Sequence, residues 1–78
     1  MYIVYALRSG KDERIYVGMT RNLQFRLTEH NQGYVFSTKG YKPWKVIYTE
    51  QEPTRIAVRK REKFLRGGFG KEFLKRLI

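Results

Sequence analysis

Two short β-rich runs, Tyr2–Leu7 and Arg14–Met19, flank the polar stretch Arg8-Ser9-Gly10-Lys11-Asp12-Glu13. Strand, Gly-containing polar loop and strand make a β-hairpin, and every other element has to be built around it. A turn centred on Gly10-Lys11 sets Tyr5 opposite Tyr16 on one face of the sheet. Thr20 and Asn22 are both good N-cap residues, so a helix is predicted from there to about Asn31, with Leu23 and Leu27 on its buried edge. Gln32-Gly33 ends it. Tyr34 to Lys42 has no clean period and is predicted as a loop ending at Pro43. Trp44 to Glu50 alternates Trp44, Val46 and Tyr48 against Lys45, Ile47 and Thr49, giving a third strand. Thr54 caps a second helix that runs to about Arg66 and stops at Gly67-Gly68. A last helix from about Gly70 turns Phe73, Leu74 and Leu77 inward. The order β-β-α-β-α-α predicts an α+β fold over residues 1–78, a single domain with a small three-stranded, mostly antiparallel sheet flanked by helices.

Composition narrows the chemistry. Seventy-eight residues leave room for one core, and 41% apolar with 15% aromatic residues is enough to pack it. The absence of cysteine excludes a disulfide scaffold, Cys-based zinc sites, iron–sulfur clusters and a thiol nucleophile. One histidine, His30, excludes a two-histidine metal site. Seventeen Lys and Arg against seven Asp and Glu give a net charge of +10, which attracts polyanions, nucleic acid foremost and an anionic membrane surface second. No apolar run approaches the ~20 residues that span a bilayer, and none follows a signal-peptide plan, so a cytoplasmic protein without membrane attachment is expected.

Several residues break the pattern of their own element. Glu62 sits four after Val58 and three before Leu65, inside the apolar stripe of the second helix. A carboxylate there is costly unless paired, hydrogen-bonded or bound to a cation; on spacing alone the default partner is Arg59 or Arg66. Arg26 and His30, four apart, project side by side. Together they can clamp a phosphate and relay a proton, although an edge histidine at a helix C-terminus is the simpler reading. Tyr5 and Tyr16 are ordinary packing residues unless they converge on one pocket, where a phenol with a cation-lowered pKa can act as a general base. Gly18 reads as a bulge or a point of helix approach. The stretch Gly67-Gly68-Phe69-Gly70-Lys71 resembles a phosphate-binding loop only superficially. Lys71 is followed by Glu72, and Leu65 occupies the place of the first glycine, so it is a helix-terminating hinge.

Together these positions resemble the GIY-YIG nuclease family. Ile3-Val4-Tyr5 stands at the first signature and Tyr16-Val17-Gly18 at the second, with the tyrosines eleven apart. The segment from Thr20 to Asn31 resembles the family helix through Arg26 and His30. Pro43 to Tyr48 resembles its third strand, and Ala57-Val58-Arg59-Lys60-Arg61-Glu62 its glutamate helix. The likeness spans essentially the whole chain and is strongest to short stand-alone members similar to the nuclease domain of the repair excinuclease. The first signature has Ile3 in place of glycine and Val4 in place of isoleucine. Met19 stands where the repair enzymes carry lysine, and no asparagine follows Glu62.

The resemblance implies a metal-dependent DNA endonuclease in repair or processing, non-specific or selective for branched structures. It implies Mg²⁺ or Mn²⁺ on Glu62, a water as nucleophile, Tyr5 or else Tyr16 helping to take its proton, Arg26 on the scissile phosphate and His30 assisting. An oxygen-held metal agrees with a chain that has no cysteine and one histidine. Arg21, Arg26, Lys39, Arg59 and Lys63 are the expected DNA contacts, on a monomer or weak dimer. The alternatives are a non-catalytic nucleic-acid-binding module of the same fold and a basic interaction domain that joins a larger complex.

Overall fold

The computed structural model describes residues 1–78. Strand β1 (Tyr2–Ser9) lies at the centre of a three-stranded antiparallel sheet, between β2 (Ile15–Thr20) and β3 (Trp44–Glu52). Its central place explains its unbroken apolar run. Val4, Tyr5, Ala6 and Leu7 are all buried because both faces of β1 are covered. Helix α1 (Leu23–Gln32) covers one face, helped by a 3₁₀ turn at Lys39–Tyr41. Helices α2 (Arg55–Arg66) and α3 (Gly68–Lys75) cover the other. The predicted α+β architecture and element order are those observed. No helix is long and apolar enough to cross a membrane.

The layers hold separate apolar cores. Val4, Ala6 and Val17 pack against Val58 and Leu65 of α2 and Leu74 of α3. On the opposite face Tyr5, Leu7 and Trp44 pack with Tyr16, Leu23, Leu27, Tyr41 and Val46. Both long-helix starts are capped as their sequences predict. Asn22 accepts from the Phe25 amide, and Thr54 accepts from the Ala57 amide. Gly33, with φ of 84°, closes α1 in the left-handed conformation. Asn31 then fastens the end of α1 to β3, its Nδ2 donating to the Trp44 carbonyl at 3.1 Å.

Four expectations need correction. The hairpin turn centres one residue later than Gly10-Lys11, so Tyr5 pairs with Gly18, and Tyr16 with Leu7. This shift of two in register keeps both tyrosines on one face but makes them diagonal neighbours. In β3 a bulge next to the Ala6/Leu7 position lets Leu7 pair with Val46 and Ala6 with Tyr48. The extra residue moves Tyr48 off the face of Trp44 and Val46 and onto the α2–α3 side, where its ring meets Phe73 edge-on. The segment from Tyr34 to Lys42 is not featureless, since it holds the 3₁₀ turn and the buried Thr38. The third helix starts at Gly68, two residues before Gly70, and ends at Lys75; of Phe73, Leu74 and Leu77 only Leu74 is buried, and Leu77 lies beyond the helix.

Candidate active site

Gly18 explains how the site is assembled. It is neither a bulge nor a helix contact, because it pairs regularly with Tyr5. The group that approaches it is the Tyr5 side chain: a Cβ at residue 18 would lie 2.6 Å from the Tyr5 hydroxyl oxygen and 2.7 Å from Cζ. With no Cβ there, the phenol lies across β2 and reaches α1. Its hydroxyl meets His30 Nε2 at 3.0 Å.

His30 is wholly buried, so it is not an edge residue at the helix terminus. Its Nδ1 lies 2.8 Å from Thr38 Oγ1. Its ring packs 5.0 Å from Tyr16 and 5.9 Å from Tyr5, centroid to centroid. Burial lowers the His30 pKa below the usual 6.5. The nearby Arg26 charge lowers it further and Glu29 opposes the shift, so the imidazole is neutral at neutral pH.

Arg26 is half-buried and donates to Glu29 Oε1 at 3.1 Å. The Tyr5 phenol and Glu29 together raise its pKa above the ordinary arginine value. For Tyr5 itself burial is the dominant influence and raises the pKa above 10. Arg26 and, more weakly, Arg66 pull the other way without overcoming it. The expectation of a phenol acidified by cations is therefore corrected. Tyr5 is a neutral hydroxyl aimed at a neutral imidazole.

Glu62 comes from the opposite layer. It is 8% exposed, and its Oε2 lies 2.8 Å from Arg66 Nη2. Of the two partners expected from spacing, Arg66 is the one observed. Arg66 directs its hydrogen bonds elsewhere, to the carbonyl of Val17 on edge strand β2, at 3.0 and 3.3 Å. No hydrogen bond joins Glu62 to Tyr5, Tyr16, Arg26 or His30; Arg66 and Tyr16 line the same cleft. An open cleft of about 520 Å³ runs along this edge, lined by Ile15, Tyr16, Val17, Ser37, Arg66 and Lys71. No group of three or more His, Cys, Asp or Glu side chains is placed to hold a metal. Glu62 as the sole carboxylate fits a hard cation only where waters and substrate phosphates fill the rest of the shell, as Mg²⁺ commonly binds.

Four expected DNA contacts remain besides Arg26. Arg59 and Lys63 lie on the exposed flank of α2 next to Glu62, in a shallow groove of about 330 Å³ shared with Arg55, Ile56 and Lys60. Arg21 lies over the ring of Tyr2, and Lys39 over the exposed ring of Phe36. Thr38, Glu29 and Arg66 join the site only once the chain is folded. Arg66 has a signal in its i+4 spacing from Glu62, and Glu29 in its i+3 spacing from Arg26. Thr38 has none, since nothing local in an aperiodic loop marks a hydroxyl that meets a histidine eight residues away.

Residues 1–75 match the GIY-YIG catalytic domain family. The chain is 36% identical over 67 residues to the UPF0213 protein CPE1444 of Clostridium perfringens, covering 85% of this chain and 71% of that protein. No solved structure matches the chain. With a family match over residues 1–75 and the element order in agreement, the chain belongs to the GIY-YIG family, a nuclease superfamily.

Proposed function

We propose that the protein is a divalent-metal-dependent DNA endonuclease, non-specific or selective for branched structures, that acts in DNA repair or processing. The observation that carries this reading is the buried hydrogen bond between Tyr5 and His30, made possible by Gly18 beside a basic cleft. A phenol that only fills a core has no need of a glycine opposite its hydroxyl.

In this reading Glu62 holds Mg²⁺ or Mn²⁺, which supplies charge neutralisation at the phosphate when bound. The chain's own residues handle the proton. Tyr5 donates its hydroxyl hydrogen to His30 Nε2 while its oxygen accepts a proton from the attacking water, so no free phenolate is formed. The raised Tyr5 pKa and lowered His30 pKa keep both groups neutral before reaction. Arg26 stands beside the phenol, where its charge favours developing negative charge on Tyr5 or on a phosphate. Glu29 orients Arg26. Arg59 and Lys63 supply phosphate contacts without base selection.

The test is nicking of supercoiled plasmid and of branched DNA with Mg²⁺, Mn²⁺ or EDTA, comparing wild type with Glu62→Gln. Metal-dependent cutting that the variant loses, with DNA affinity retained, is expected. Tight binding with no metal-dependent cutting in either protein overturns the enzyme. That outcome leaves the second reading, a non-catalytic DNA-binding module, which is favoured by one observation: Arg66 already neutralises Glu62.

A further inference from the structure

His30 has a hydrogen-bond partner on each ring nitrogen, and which nitrogen carries the hydrogen decides what His30 can do for Tyr5. With the hydrogen on Nε2 it would donate to the phenol and could take no proton from it. With the hydrogen on Nδ1, Nε2 is a bare acceptor facing Tyr5.

The decision is made one residue further along. Thr38 Oγ1 contacts His30 Nδ1 at 2.8 Å and the backbone carbonyl of Val35 at 3.4 Å. The Tyr5 hydroxyl makes its one hydrogen bond to His30 Nε2, and the Val35 carbonyl, which only accepts, can take the hydroxyl hydrogen of Thr38. The Thr38 oxygen is then left to accept from His30, which requires the hydrogen on Nδ1. Every link points the same way: Tyr5 hydroxyl to His30 Nε2, His30 Nδ1 to Thr38, Thr38 to Val35.

Thr38 is buried and its backbone is held at both its amide and its carbonyl. It is 1% exposed, its amide donates to the Val35 carbonyl at 3.1 Å, and its own carbonyl accepts from Trp44 Nε1 at 2.9 Å. Such ties are not needed by a hydroxyl that merely fills space. We infer that Thr38 is a positioning residue, which locks His30 in the Nδ1–H form and so sets the direction of proton movement from Tyr5 to His30. Its catalytic consequence rests on the nuclease reading; the tautomer does not.

The experiment is a long-range ¹H–¹⁵N correlation spectrum of ¹⁵N-histidine-labelled protein at neutral pH. His30 is the only histidine of the sequence, so its two nitrogens are assigned without ambiguity. Wild type is expected to show a protonated Nδ1 and an unprotonated Nε2. Thr38→Val should lose that preference and Thr38→Ser should restore it. Plasmid nicking by the same proteins should show kcat lower by about 10-fold in Thr38→Val with KM nearly unchanged, and recovery in Thr38→Ser, as for other residues that orient a catalytic group from behind. Wild-type His30 protonated on Nε2 overturns the proposal, and needs no variant to fold. A Thr38→Val protein that keeps the Nδ1–H form also overturns it. Wild type in the Nδ1–H form that never cuts DNA overturns the nuclease reading and supports the tautomer assignment.

Discussion

Gly18→Ala separates two opposed physical effects by sign. Residue 18 lies in a regular strand pairing and its φ lies outside the left-handed region, so alanine suits the backbone. Reduced freedom of the unfolded chain alone would stabilise the variant by about 0.4–1 kcal/mol. Against this, the new methyl would lie 2.6 Å from the Tyr5 hydroxyl oxygen, 2.7 Å from its Cζ and 3.1 Å from Tyr16 Cε2. Tyr5 is 1% exposed and packed among Leu7, Trp44 and Tyr16, so it can move aside only by displacing its neighbours. Overpacking of this kind costs about 1–3 kcal/mol. A phenol pushed from His30 leaves a buried nitrogen unpaired, for about 1–3 kcal/mol more. The net expectation is a loss of roughly 1–6 kcal/mol once the chain-entropy gain is subtracted. Urea unfolding followed by the fluorescence of Trp44, which lies in the same core, measures it. A variant as stable as wild type would refute the idea that Gly18 is there to let the phenol pass.

Other substitutions and conditions test separate parts of the structure. Gly70→Ala should be more damaging than Gly18→Ala, because its Cβ would fall 2.3 Å from both Leu65 Cα and the Phe64 carbonyl oxygen, which are backbone atoms. Loss of α3 docking, read as amide exchange in α3 at the rate of an unfolded chain, is expected. His30 has a folded pKa below 6.5, so its contribution is complete above that pH and is lost as pH falls towards the folded value. Stability should decline below pH 6.5 by up to about 1.4 kcal/mol per pH unit, before Asp12 and Glu50 begin to titrate. A flat urea midpoint between pH 7 and 5 contradicts the neutral, buried imidazole. Arg59→Gln/Lys63→Gln should weaken DNA binding evenly across sequences and flatten the plot of log K against log salt by about 2, one for each phosphate that is no longer neutralised. An unchanged slope in fluorescence anisotropy titrations would place the DNA elsewhere.

What the sequence makes legible is whatever is decided locally. Asn22 and Thr54 mark their helix starts because a cap bonds to an amide three residues away. The unbroken run of β1 marks a strand, and Glu62 stands out because it interrupts an apolar stripe of known period. Register is less accessible: the chemistry of the Gly10–Glu13 loop allows more than one turn centre. The bulge in β3 is a compromise between two cores that no single strand expresses, so alternation alone misplaces Tyr48. The two tyrosines, Arg26 and His30 do gather on one face, as their spacing suggests. The sign of the Tyr5 pKa shift does not follow from spacing, because it depends on how deeply the phenol is buried, and that is a property of the assembled fold. Thr38 depends on it twice over, since both its histidine and its tryptophan partner come from other elements.

The division of the apolar interior between two faces of one sheet has a consequence for synthesis. Tyr5, Tyr16, Arg26, His30 and Thr38 all leave the ribosome before β3 and α2 do, and their side chains belong to the face that α1 covers. Glu62 and Arg66 arrive later, on the helix that closes the other face. A nascent chain stopped after Thr38 holds the proton-handling residues without the carboxylate, and leaves Val4, Ala6 and Val17 bare. The step that buries those three residues also delivers Glu62. On the proposed reading, a chain that lacks α2 carries the charge that attracts nucleic acid without the carboxylate that cutting requires.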